Sequence, residues 1–191
     1  MFKSPRTGRI KYATPSDINK ILELAQEYGH LMNYMTEPDT IKARIHKQEF
    51  LVHTSHGESD SPEYIDGFYH IVPMRTDQDY NFVLTHKVFP PWILDIARVR
   101  DSGYHQVGII MQGGCHRDVF KDLIGQAKFL YQELWCWCSI KSSKPDGYKE
   151  LGFSFNPKVE YTFRNPNTDP IRESTYQLGR WAINDVDANW R

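Results

Sequence analysis

Residues 118–140 read DVFKDLIGQAKFLYQELWCWCSI, and the fold is decided there. Val119, Phe120, Leu123, Ile124, Ala127, Leu130, Tyr131 and Leu134 recur at helical spacing from Asp118 onward, so one apolar stripe faces a core. The helix runs into Trp135-Cys136-Trp137-Cys138-Ser139-Ile140, an aromatic-rich run that reads as a strand.

Upstream, Thr14-Pro15-Ser16-Asp17 reads as a helix start: Thr14 can cap, Pro15 suits the first helical position, and Asp17 faces the positive end of the dipole. Ile18, Ile21, Leu22, Ala25 and Tyr28 continue that helix, and Gly29 lies near its end. Thr36 to Lys47 is expected to form a second helix, with Ile41 and Ile45 four residues apart. Phe50 to His53 and Tyr64 to Val72 read as a strand pair around the polar loop Ser55 to Pro62. Asn81 to Phe89 is a further strand candidate, and Trp92 to Ala97 fits a buried strand or a helical turn equally well. His105 to Met111 reads as a strand ended by Gly113-Gly114.

Downstream, Lys141 to Asp146 is a breaker stretch, and a short helix from Gly147 to Leu151 closes at Gly152. Val159 to Arg164 and Thr175 to Ile183 read as strands separated by the turn-rich Asn165 to Pro170. The order is mixed α+β and not strictly alternating, with no internal repeat.

Composition narrows the class. The chain has 191 residues, of which 40% are hydrophobic and 14% aromatic, enough for one real core and too few for two full domains. A loose lead-in over residues 1–9 and a single domain over 10–191, with 165–191 as a strand extension, is the expected organisation. A formal net charge of -1 provides no global attraction for nucleic acid or anionic lipid, so neither partner is expected. No apolar run approaches the roughly 18 residues that span a bilayer, and the start lacks a signal-peptide core, so a cytoplasmic protein is expected. Three cysteines make no disulfide framework and are expected to be reduced.

The stretches IKYATPSDINKILELAQEY, YIDGFYHI and DGYKELGFSF, together with the element order, resemble the GNAT superfamily of CoA-dependent N-acyltransferases. The resemblance covers most of residues 10–164, and its most specific part is Tyr148-Lys149-Glu150-Leu151-Gly152-Phe153, which matches the family's Tyr-x-x-x-Gly-Phe ending. It implies a mostly antiparallel twisted sheet, splayed between its fourth and fifth strands, with helices on both faces. Acetyl-CoA or another acyl-CoA is the implied donor substrate, and the amine acceptor stays unidentified. Tyr148 is implied as the general acid that protonates the departing thiolate. Backbone N–H near Ile110 or Met111 is implied as the group polarising the thioester carbonyl.

The sequence departs from the family at the diphosphate-binding loop. Such loops follow Gln/Arg-x-x-Gly-x-Gly/Ala, because bare glycines expose backbone N–H groups where the helix dipole favours anions. Aligned on Leu123-Ile124, the loop falls on Cys115 to Phe120: both glycines are lost, Asp118 sets a negative charge beside phosphate, and Phe120 sets a ring where backbone must approach. Moved back to Gln112 to Arg117, the loop regains Gly113 and Gly114, with His116 and Arg117 able to cradle an anion, but it then needs to be longer. A GNAT-like fold with a degraded loop also resembles certain tailed-phage proteins built into virions, so a non-catalytic GNAT-fold protein acting through protein contacts is the alternative.

Other constellations read as structural. Cys136 and Cys138 point to one face of a strand and, with Cys115 and His116, could supply zinc ligands; core packing is the simpler reading, and no metal is expected. Glu63, His70 and Asp95 are the candidates for the base that an acylated amine requires. A homodimer is compatible with all of this.

Overall fold

The computed structural model describes residues 8–28, 38–55, 64–74, 107–141, 143–165 and 172–183. The strand candidate Asn81–Phe89, the run Trp92–Ala97, Gly29 and the base candidates Glu63 and Asp95 lie outside the described residues. The described residues form seven strands, β1 (Gly8–Tyr12), β2 (Phe50–Ser55), β3 (Tyr64–Met74), β4 (Val107–Cys115), β5 (Glu133–Ser139), β6 (Ser154–Asn165) and β7 (Arg172–Ala182), and four helices. The helices are α1 (Ile18–Glu27), α2 (Pro38–His46), α3 (Arg117–Leu130) and α4 (Lys144–Glu150). The strands form one mostly antiparallel sheet in the order β1-β2-β3-β4-β5-β7-β6, with a single parallel pair among the described residues, β4–β5. The chain packs as two compact units, Met1–Ile71 with Gln112–Ala127, and Val72–Met111 with Lys128–Arg191.

In the first unit, α1 starts in two steps. A 3₁₀ turn over Pro15–Asp17 precedes it, and the Thr14 N–H and hydroxyl both donate to the Asp17 carboxylate, at 2.7 and 2.9 Å. Ile21, Leu24 and Ala25 of α1 and Ile41 and Ile45 of α2 are buried with Phe50, Val52, Ile65 and Phe68 of the sheet in one cluster. Each fully buried Ile, Leu, Val or Phe among them contributes about 1.5–3 kcal/mol. Val119, Leu123, Ile124 and Ala127 supply the buried stripe of α3. A β-carbon on Gly67 would meet Val119 and Leu123, whereas one on Gly114 would meet Phe68 and the Leu24 carbonyl. Gly67 and Phe68 are consecutive in a strand, so α3 lies on one face and α1 on the other.

The second unit rests on β5 between β4 and β7, with β7 and β6 forming a long antiparallel pair. Trp135, Cys136, Cys138 and Leu178 are buried. The Arg180 guanidinium donates twice to the Glu133 carboxylate, at 2.9 and 2.8 Å. The β6–β7 register shifts between Asn156 and Glu160, beside Pro157, which has no N–H to give to a ladder.

Several boundaries differ from the sequence reading for identifiable reasons. The apolar spacing runs to Leu134, yet α3 stops at Leu130, because Glu133 and Leu134 pair with Val107 and Gly108 and give their backbone to the sheet. The last helix begins at Lys144 rather than Gly147, since Pro145 in its first turn starts a helix instead of breaking one. The β4 strand is not ended by Gly113-Gly114; it runs through both to Cys115.

Both short helices end in the same backbone arrangement. At the end of α2, Gln48 N–H donates to Ile45 O at 2.9 Å and Glu49 N–H to Arg44 O at 3.2 Å, with Gln48 at φ 57. At the end of α4, Gly152 N–H donates to Lys149 O at 2.9 Å and Phe153 N–H to Tyr148 O at 3.1 Å, with Gly152 at φ 83. Each is a left-handed cap that satisfies the last helix carbonyls.

Candidate functional site

The β4–α3 junction is a single residue, His116. The first bond within α3 runs from Phe120 N–H to His116 O at 3.0 Å, so the N–H groups of Arg117, Asp118 and Val119 precede it at the positive end of the dipole. His116 and Asp118 are exposed, and His116 Nδ1 stands 3.6 Å from Asp118 Oδ2, a surface contact of small energetic weight. Phe120 directs its ring at Tyr69, with centroids 6.1 Å apart.

Gly113 and Gly114 belong to the strand, not to a loop ahead of the helix. A β-carbon on Gly113 would come within 2.5 Å of the Tyr69 ring, and one on Gly114 within 2.7 Å of the Phe68 ring. These glycines let aromatic rings of β3 lie against β4.

Ile110 closes the β4–β5 ladder, which pairs Val107 with Glu133 and ends at Ile110 with Cys136, while β4 continues to Cys115 and β5 to Ser139. Ile110 and Met111 are buried. Tyr148 is buried in α4, and its ring meets Phe153 edge-on with centroids 5.0 Å apart. The Tyr148–Phe153 contact is the apolar clasp that accompanies a left-handed cap of this type, so Gly152 and Phe153 act as a helix stop and its anchor. Lys128 adds to this stop by donating to the Leu151 carbonyl, with its ammonium 4.7 Å from the Trp181 ring centroid. Of the sequence-derived site residues, Ile110, Met111 and Tyr148 fall in the second unit, and Gly113, Gly114, His116 and Arg117 in the first.

Of the base candidates, His70 is described. It is fully buried, stacked on Phe50 with centroids 4.4 Å apart, and its Nε2–H donates to Glu49 Oε2 at 3.1 Å. Burial lowers its pKa, and the hydrogen bond to Glu49 offsets part of that. Glu49 in turn pairs with Arg44 at 3.3 Å, so His70 is one link of a buried chain of partners. Cys136 and Cys138 do share a face, with sulfurs 3.9 Å apart, and burial raises the Cys136 thiol well above its usual range. Among the described residues, no group of three or more His, Cys, Asp or Glu is placed to hold a metal. No helix among them is long and apolar enough to cross a membrane.

Two features escaped the sequence reading. Asp66 is the extra residue of a β-bulge, since His53 pairs with Gly67 and Thr54 with Ile65. The bulge aims its carboxylate at two β2 residues: His53 Nδ1–H and the Ser55 hydroxyl both donate to it at 2.5 Å. The second is the burial of the Gln112 side chain on β4. An acidic residue breaking the alternation before Gly67 was the available signal for the first; polarity inside an otherwise apolar strand was the signal for the second.

No protein-family model matches the chain, and no curated protein matches it. Among solved structures, NAA60 of Arabidopsis thaliana in complex with acetyl-CoA superposes with a TM-score of 0.58 at 13% identity, over 93% of this chain and 100% of that one. The chain has the GNAT fold. An N-acetyltransferase from Staphylococcus aureus superposes with a TM-score of 0.58 at 13% identity, covering 93% and 99% of the two chains. A GNAT-family acetyltransferase from Streptococcus pneumoniae does so with 0.55 at 10% identity, covering 92% and 99%.

Proposed function

We propose that the protein is an acyl-CoA-dependent N-acyltransferase that moves an acetyl or other acyl group to an amine not yet identified. The observation behind this reading is the sheet with its parallel pair β4–β5, in a chain that superposes over 93% of its length on a structure holding acetyl-CoA. In this reading the amine attacks the thioester carbonyl while a backbone N–H at Ile110 or Met111 stabilises the developing oxyanion. The C–S bond then breaks, the Tyr148 hydroxyl protonates the departing thiolate, and the proton shed by the amine nitrogen passes to water, from which the Tyr148 phenolate regains its own. The diphosphate is held by the His116 and Arg117 side chains together with the first N–H groups of α3. Gly113 and Gly114 serve as space for the Tyr69 and Phe68 rings rather than as an anion cradle.

One observation favours the alternative, a GNAT-fold protein that works through protein contacts. Asp118 puts an exposed carboxylate in the first turn of α3, where an incoming phosphate would meet it. Acetyl-CoA separates the two readings. At about 100 times its dissociation constant it is expected to raise the Tm by about 5–10 °C. Tyr148→Phe is then expected to lower kcat by about 10²-fold or more while leaving acetyl-CoA binding unchanged. If acetyl-CoA and longer acyl-CoAs all leave the Tm where it was, the catalytic reading is wrong and the contact protein stands.

A further inference from the structure

Gln112 is 5% exposed, and neither its Nε2 nor its Oε1 has a hydrogen-bond partner among the described residues. A buried amide in that state is costly, because both atoms have given up water and neither has regained a bond. The residue sits on β4 two positions beyond Ile110, the last to pair with β5. Alternation places it on the same face as Gly114, the face of Phe68 and α1, and away from α3. It therefore stands apart from the groups read above as holding phosphate.

We propose that the Gln112 carboxamide is a ligand-reading group that hydrogen-bonds the amide groups of the bound molecule. Its Nε2–H donates to the ligand's carbonyl, and its Oε1 accepts from the ligand's N–H. A primary carboxamide offers a donor and an acceptor, and amide groups, which carry both an N–H and a C=O, can satisfy both; an ammonium or a thioester alone satisfies one. The choice of ligands rests on the acyl-transfer reading, in which that amide lies either on the pantetheine arm of the acyl-CoA or on the acceptor beside its amine.

Titration calorimetry on the full chain and on Gln112→Met distinguishes these sources. The probes are acetyl-CoA, leucinamide as an amide-bearing amine, and isoamylamine as its amide-free counterpart. Losing two hydrogen bonds is expected to weaken acetyl-CoA (pantetheine source) or leucinamide (acceptor source) by about tenfold or more, with isoamylamine unchanged. Methionine fills a similar volume with no unpaired polar atoms, so the same variant is expected to raise the Tm of the ligand-free protein by about 2–4 °C. The assignment is overturned if every amide-bearing probe treats the two proteins alike, absence of binding included, or if Gln112→Met lowers the Tm. Should acetyl-CoA bind neither protein, the acyl-transfer reading falls, while the leucinamide comparison still decides the role of Gln112.

Discussion

The ends of α2 and α4 share one set of backbone hydrogen bonds and almost nothing else. In α4 the left-handed position is glycine and the clasp is aromatic, Tyr148 on Phe153. In α2 the left-handed position is Gln48, and the residues that clasp are Arg44 and Glu49, an ion pair at 3.3 Å. The difference shows that the geometry of a helix stop leaves the chemistry of its clasp open. The aromatic version ends in a packed plug beside a proposed general acid. The charged version passes from Arg44 through Glu49 to the buried imidazole of His70, coupling the stop to a titratable group.

Breaking the aromatic clasp is expected to have the largest effect. Phe153 is 4% exposed, so Phe153→Ala should cost about 3–5 kcal/mol of unfolding free energy in urea titrations. A loss below about 1 kcal/mol would mean that the ring does not anchor the cap.

The charged clasp should instead reveal itself through pH. Burial lowers the His70 pKa in the folded protein below the ordinary histidine value of about 6.5. Above that value both states hold His70 neutral, and its contribution is fully present. As the pH falls through it, the unfolded chain takes up a proton that the native state refuses, so stability declines until the native pKa is reached. One such proton gives a slope of at most about 1.4 kcal/mol per pH unit. Urea midpoints measured from about pH 8 to about pH 5 should show this decline in the wild type and a flatter profile in His70→Gln. Parallel profiles would remove His70 from the account.

Exchanging the two left-handed residues sharpens the comparison with the smallest effects. A β-carbon at Gly152 would find Trp181 at an ordinary 3.6 Å, so Gly152→Gln should cost only the backbone strain. That is about 1–2 kcal/mol. Gln48→Gly should gain about 0.5–1 kcal/mol, because relief of the same strain exceeds the added chain entropy. Thermal melts of the two variants moving in the same direction would refute the equivalence of the two caps.

This pairing also explains what could be read along the chain. The α4 stop was legible because glycine followed by an aromatic residue advertises it. The α2 stop was silent, since nothing about Gln48 signals a positive φ. The helix over Val119 to Ala127 was legible because its apolar period holds for three turns; its end was not, because Leu134 keeps the period while its backbone pairs with β4. Gly113-Gly114 looked like a terminator and a phosphate loop. The neighbouring rings of Tyr69 and Phe68, which sequence distance hides, make the same pair a piece of strand.

The order of strands and helices, the amphipathic faces and the closing Gly-Phe were settled by the sequence itself, because periodicity, proline and glycine act on the chain within a few residues of where they stand. Which glycine relieves strain and which makes room for a ring, which carboxylate turns toward His53, and whether the Gln112 amide finds a partner were decided only on folding. Each depends on groups brought from a distant part of the chain to within a few ångströms, and no local pattern encodes that distance.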